Sequence, residues 1–156
     1  MTYSRLDSLF HSKIINYVLL FIDSETGKDV GVATLYLEKE RLAYYYYAFY
    51  DLNYYQQNLG MFMMTSAVDT FAGNNFQYIY LGTCYSRNAL YKTQFAGFQY
   101  FNGFRWSENL KELKYQIERN KYSVDKHLLE TEEFVEKFYN ADFKNMLGTT
   151  MFTMKM

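Results

Sequence analysis

The chain has 156 residues, of which 49% are hydrophobic and 21% aromatic, and its formal net charge is −1. That length predicts one domain with a single substantial core, and the near-neutral charge excludes a protein coated in basic residues. One cysteine, Cys84, and two histidines, His11 and His127, exclude an internal disulfide and a multi-cysteine metal site, and no metal ligand set is expected.

The apolar run Tyr17–Ile22 is far too short to span a bilayer, and the opening MTYSRLDSLFHSK lacks the apolar region of a secretion signal. A globular, cytoplasmic protein without a membrane partner is the expectation. Charge is unevenly spread: residues 84–121 hold seven Lys or Arg against three Glu, a local +4 that leaves −5 for the rest. Such an asymmetry either steers an anionic ligand to one face or reflects a solvated helix with paired charges.

In chain order, residues 1–13 read as an arm or a helical remnant. A strand is expected at 14–22, then a polar turn, DSETGKD, with Gly27 at positive φ. Residues 30–37 return as the second strand, EKER turns the chain, and 42–50 (LAYYYYAFY) form a third, giving an antiparallel meander. Aromatics on both alternating faces mark that third strand as covered on both sides. The run Tyr44, Tyr45, Tyr46, Tyr47 reads either as core or as the lining of a polar pocket, because buried tyrosine hydroxyls need partners.

A helix is expected over 59–71, with Asn58 as its cap, Gly60 in its first turn, and Met61, Phe62, Met64, Ala67, Val68 and Phe71 as its packed face. GNN ends it, with Gly73 or Asn74 in the left-handed conformation. The next strand, 76–81, follows a crossover and should lie parallel to 42–50. A helix start beside two parallel strands favours an anion, and Gly60 either lets one approach or serves close helix packing. The stretch 76–98 is the part the others present: a strand, a break at Gly82, a helical turn at 88–95, and Gly97 returning the chain to a sheet.

Beyond it, QYFNGFRW reads as one more strand with a turn at Asn102-Gly103. Ser107 is expected to cap a helix with Leu110, Leu113 and Ile117 inward and Lys111, Glu112, Glu118 and Arg119 outward. Residues 124–138 form an outer amphipathic helix carrying His127 on its surface or at an interface, and from 147 the tail adds a strand or stays irregular. The domain layout is thus a single unit, 1–156, with an arm at 1–13, a core at 14–104, and C-terminal helices and tail at 107–156.

Two antiparallel strands, a central strand, a glycine-started helix, a parallel strand and then Asn88-Ala89-Leu90-Tyr91-Lys92 with Gly97-Phe98 resemble the GNAT acyltransferase fold. NALYKTQFAGF is similar to a compressed form of that superfamily's N-x-x-A-x-x-LY-x-x-x-GF ending. More closely, VGV (30–32), YD (50–51), LG (59–60), YLG (80–82), YK (91–92) and Phe95 resemble, in order, the C-terminal domain of arginyl-tRNA–protein transferases and bacterial leucyl-type relatives. The resemblance covers about residues 30 to 98. It implies an α/β (α+β) fold: a GNAT-like mixed sheet with an antiparallel N-terminal meander, a central splayed parallel strand pair and C-terminal helices.

The implied activity is transfer of an amino acid from aminoacyl-tRNA to a protein N-terminal amine, with no tightly bound cofactor. Tyr91 is then the catalytic acid toward the leaving oxygen. Substrate contacts fall on Tyr46, Tyr50, Asp51, Tyr80, Leu81, Gly82 and Lys92, and the family's helix carboxylate falls on Asp69. The tRNA 3′ end would meet Gln57, Asn58, Gly60 and Arg87, with Lys92 and Arg105 near phosphate. One alternative is an N-acetyltransferase using acetyl-CoA, with residues 57–62 (QNLGMF) as a pyrophosphate loop that lacks a second glycine. The other is a catalytically silent GNAT-like domain binding a partner through its tyrosine-rich face.

Overall fold

Runs rich in β-branched and aromatic residues build three successive strands, β1 (Tyr17–Ile22), β2 (Asp29–Glu38) and β3 (Leu42–Tyr50), paired antiparallel as the expected meander. The computed structural model describes residues 3–119 and 125–142. The chain groups into two compact units, Met1–Gly82 and Thr83–Met156. It is a mixed α/β protein whose main sheet has four strands in the order β1-β2-β3-β4. Among the described residues no helix is long and apolar enough to cross a membrane.

In the first unit, the arm at the start is a helix, α1 (Tyr3–Phe10), with Leu9 buried. The β1–β2 turn closes on Asp23: its side chain accepts from the Glu25 and Thr26 N–H groups, and Gly27, at φ 70°, donates to its carbonyl. Tyr54 adds a 2.5 Å hydrogen bond to the same carboxylate, fastening the 3-10 turn Leu52–Gln57 to the hairpin.

The crossover helix α2 (Leu59–Gly73) buries Leu59, Met63, Met64, Ala67 and Phe71. The packed stripe is thus turned relative to expectation: Phe62 is exposed and Met63 is fully buried. Gly31 of β2 explains the rotation, because a Cβ there would lie 2.6 Å from Met63 Sδ, so bare backbone admits the methionine. Burying such a side chain stabilises by about 1.5–3 kcal/mol.

Asn58 holds the N-cap place as expected, though without the usual cap geometry, and the C-terminal cap differs. Asn58 precedes α2 in the left-handed conformation (φ 56°) and makes no side-chain cap bond; its carbonyl accepts from Met61 and Phe62. At the other end neither Gly73 nor Asn74 turns left-handed. Asn75 does (φ 61°), while Asn74 folds its side-chain amide back to the Thr70 carbonyl at 2.6 Å.

The next strand, β4 (Tyr78–Tyr80), is parallel to β3 as the crossover rule predicts, with Leu42, Ala43 and Tyr44 opposite Tyr78, Ile79 and Tyr80. It is shorter than the predicted 76–81. Phe76 belongs to the helix ending: its N–H donates to the Phe71 carbonyl, and the two rings meet at 5.0 Å.

In the second unit, the expected helical turn is a 3-10 segment, Arg87–Gln94. Residues 99–106 are not one strand but a hairpin, β5 (Tyr100–Phe101) against β6 (Trp106–Ser107), in a sheet separate from the first. Asn102 makes the bend, its side-chain oxygen accepting from the Phe104 and Arg105 N–H groups. Helix α3 (Leu110–Arg119) is capped by Asn109, which accepts from Lys111 and Glu112, rather than by Ser107. Leu113 and Ile117 face inward as expected and pack with Tyr100, but Leu110 is exposed, and Glu112, assigned to the outer face, is buried.

The predicted outer helix divides into a 3-10 turn, Leu128–Glu130, and α4 (Glu132–Tyr139), with position 124 outside the described residues. His127 causes the division: its Nδ1 accepts from Leu129 N–H while its own N–H reaches Glu130, a capping box that starts a separate turn. Phe134 and Tyr139 of α4 form a small aromatic core with Phe104, Tyr115 and Phe138. The tail from 147, and Lys121 of the basic stretch, lie outside the described residues.

Candidate functional site

Strands β3 and β4 share three residue pairs and then part. Beyond Tyr44, β3 runs on through Tyr50 with no β4 partner, while the chain after Tyr80 leaves the sheet through Leu81 and Gly82, the latter at φ 80°. The C-terminal end of β4 therefore lies beside the first third of β3, and the last six residues of β3 run on without a parallel neighbour.

Tyr50 and Gly60 meet at the C-terminal end of β3, six residues beyond the last β4 partner, Tyr44. A Cβ on Gly60 would stand 2.8 Å from Tyr50 Cε1, so the glycine is explained by close approach of helix and ring. Gln57 ends the 3-10 turn and Asn58 links it to α2, both exposed, and α2 begins without a side-chain cap. Asp51 has a structural task here: its carboxylate accepts from Asn53 N–H at 3.0 Å and caps the 3-10 turn, while its own N–H donates to the Val30 carbonyl. Asp69 is set apart, exposed and nine residues beyond Gly60, about 14 Å along the helix axis.

The tyrosine run resolves into both of its readings. Tyr45 is core, buried on the α2 side. Tyr44, Tyr46 and Tyr47 are half-buried on the other face, in a chain of rings from Tyr80 through Tyr44 (5.0 Å) and Tyr46 (5.2 Å) to Tyr47 (4.8 Å). Burial, and then the neighbouring Tyr80 and Tyr46, raise the Tyr44 pKa above its ordinary value.

Tyr91, Lys92 and Arg87 share the 3-10 segment of the second unit, where Tyr91 is 46% exposed. Lys92 is half-buried and donates to the Thr83 carbonyl at 3.0 Å; burial lowers its pKa, partly offset by Cys84, whose own thiol burial pushes up. Arg87 pairs with Glu118 of α3 at 2.5 Å, and the Arg105 guanidinium lies 4.7 Å above the Tyr139 ring. The cations expected at phosphate are therefore each engaged within their own unit.

Sequence reasoning missed a buried carboxylate with three side-chain hydrogen bonds. Glu112, 1% exposed, accepts hydrogen bonds from Asn102 Nδ2 and the Tyr139 hydroxyl at Oε1, and from Ser107 Oγ at Oε2, each at 2.6 Å. A signal was present: Asn109-x-x-Glu112 has capping-box spacing, which puts the carboxylate in the first turn, facing back along the chain. The structure turns it inward to the hairpin and α4. Among the described residues no three His, Cys, Asp or Glu side chains are placed to hold a metal ion. No family model, curated protein or solved structure matches the chain.

Proposed function

We propose that this is a GNAT-like acyltransferase that moves an amino acid from aminoacyl-tRNA to a protein N-terminal amine. The observation that carries the reading is the parallel pairing of β3 and β4 over only three residue pairs, with α2 starting, without a side-chain cap bond, beside the far end of β3 that β4 leaves unpaired. Sheet order supports it as well: an antiparallel meander followed by a helical crossover to a parallel strand. The ordered motifs from VGV to Phe95 supply the aminoacyl-tRNA part of the proposal.

The chemistry needs no protein nucleophile. An α-amine with a pKa of about 8 is partly neutral near pH 7 and attacks the activated ester itself. The protein must position the two reactants, stabilise the tetrahedral oxyanion and protonate the leaving ribose oxygen. Tyr91 is assigned the last task from its place in the motif order. Tyr50, Tyr80, Leu81 and Gly82 are assigned to the acyl group, and Gly60 with its neighbours to the donor's 3′ end.

One observation favours acetyl-CoA as the donor instead. The first N–H groups of α2 meet no capping side chain, which suits a pyrophosphate as well as a tRNA phosphate. Thermal unfolding with each donor separates the readings. Stabilisation by aminoacyl-tRNA that weakens steeply with salt supports the first, and stabilisation by acetyl-CoA alone moves the assignment to N-acetyl transfer. A chain stabilised by neither, and inactive with both, would be a binding domain that presents its tyrosine-rich face.

A further inference from the structure

Tyr46 and Tyr47 are consecutive in β3, yet both rings lie on the face that α1 covers. Regular alternation would send them to opposite faces. The register explains the exception: Leu35 stands opposite Tyr45 and Thr34 opposite Tyr47, so Tyr46 is an extra residue in the ladder. A bulge of this kind re-aims side chains, costs regular pairing, and is found preferentially beside binding sites. Here it sets two tyrosines edge to face at 4.8 Å.

Arg5 and Ser8 of α1, and Ser12 just after it, recur at the spacing of one helix face. With Leu9, Tyr46 and Tyr47 they line a cleft of about 190 Å³. Arg5 Nη2 donates to the Tyr47 hydroxyl at 3.2 Å. Among the described residues that neutral oxygen is the one polar partner of the guanidinium, since Asp7, the acid of α1, faces His11 at 3.4 Å. A planar fork with five N–H donors is thus held in a cleft whose other polar groups are hydroxyls, each able to donate.

We propose that this cleft binds an oxyanion, the carboxylate or phosphate end group of a small ligand, between Arg5 and the hydroxyls of Ser8, Ser12 and Tyr46. The cleft holds about six waters' worth of volume, enough for an end group and too little for a whole cofactor. Two N–H groups of a guanidinium match two oxygens of either anion, and hydroxyl donors satisfy the remaining lone pairs. The site lies on the sheet face opposite α2 and does not rest on the transferase reading.

Side-chain and backbone NMR of the full chain tests it, titrating inorganic phosphate, acetate and chloride at matched ionic strength. The expected result is a saturable shift of the Arg5 Nε–H signal and of the Tyr46 and Tyr47 amides with phosphate or acetate, and none with chloride. Saturation by phosphate alone assigns a phosphate ligand, and saturation by acetate alone a carboxylate. Arg5→Gln, at an exposed position, should weaken the amide response about ten-fold or more, and Ser8→Ala a few-fold. Shifts that rise linearly, that chloride reproduces, or that persist unchanged at Tyr46 and Tyr47 in Arg5→Gln overturn the proposal.

Discussion

The Tyr139 hydroxyl donates to Glu112 Oε1 at 2.6 Å and so ties the last described helix of the second unit to α3. Asn102 bonds to both of them, at 2.6 Å and 3.0 Å, and Ser107 takes the other carboxylate oxygen. Three elements thus converge on one buried side chain. Tyr100 is the contrast: its hydroxyl is buried nearby with no hydrogen-bond partner among the described residues.

Removing these two hydroxyls should therefore have unequal consequences. Tyr139→Phe leaves a Glu112 oxygen and the Asn102 amide under-satisfied, and should cost about 1–3 kcal/mol. Tyr100→Phe removes a buried hydroxyl whose approaches to Ser107 and Glu112 fall short of full hydrogen-bond geometry, and should cost less. Denaturant unfolding of both variants checks the pair. Equal losses would mean that the Glu112 network does not distinguish them.

Alkaline titration should show the same groups. Burial, then the nearby Glu112, raises the Tyr100 pKa; burial, then its hydrogen bond to Glu112, raises that of Tyr139. The unfolded chain gives up these protons first, near the ordinary value of about 10, so stability is intact below that pH and falls above it. Lys92 works in the opposite sense. Burial lowers its pKa, so the unfolded state holds the proton longer and stability rises as pH climbs toward about 10.4. Unfolding midpoints between about pH 8 and about pH 11 should lose the rise in Lys92→Met and part of the fall in Tyr139→Phe.

Tyr50 and Gly60 give a packing test at the C-terminal end of β3. Gly60→Ala would gain up to about 1 kcal/mol of helix propensity if the position were open. With Tyr50 Cε1 at 2.8 Å from the new Cβ, it should instead destabilise by about 1–3 kcal/mol. Tyr50→Leu in the same chain should recover most of that loss, a coupling that a double-mutant cycle measures. Additive losses would show that the ring does not hold the helix start.

Much of the first unit was legible because its signals are local. The meander, the Gly27 turn and the parallel β4 follow from β-branched and aromatic runs, turn residues and the handedness of crossovers. Errors arose where a distant partner decides. Gly31 turns α2 to bury Met63, and nothing within 59–73 encodes that. Glu112 reads as an outward charge until Asn102, ten residues before it, and Tyr139, twenty-seven after, supply its bonds. The bulge at Tyr46 needs the register of two strands, which a single run of tyrosines cannot reveal.

Tyr91 decides the transferase reading. It sits on the 3-10 segment Arg87–Gln94, nearly half exposed, with Lys92 beside it in sequence. If its hydroxyl protonates the leaving oxygen, Tyr91→Phe should lower kcat by about ten- to a thousand-fold with little change in KM, because the lost interaction exists only in the transition state. Stability should barely change at a side chain that is nearly half exposed. If the hydroxyl serves folding instead, the variant should lose about 1 kcal/mol or more and the folded fraction should react at the parent rate. Single-turnover transfer from aminoacyl-tRNA and denaturant unfolding, on one purified variant, give both quantities. A kcat equal to that of the parent would remove Tyr91 from the chemistry whichever donor is used, and leave proton delivery to water or to the donor's own ribose hydroxyl.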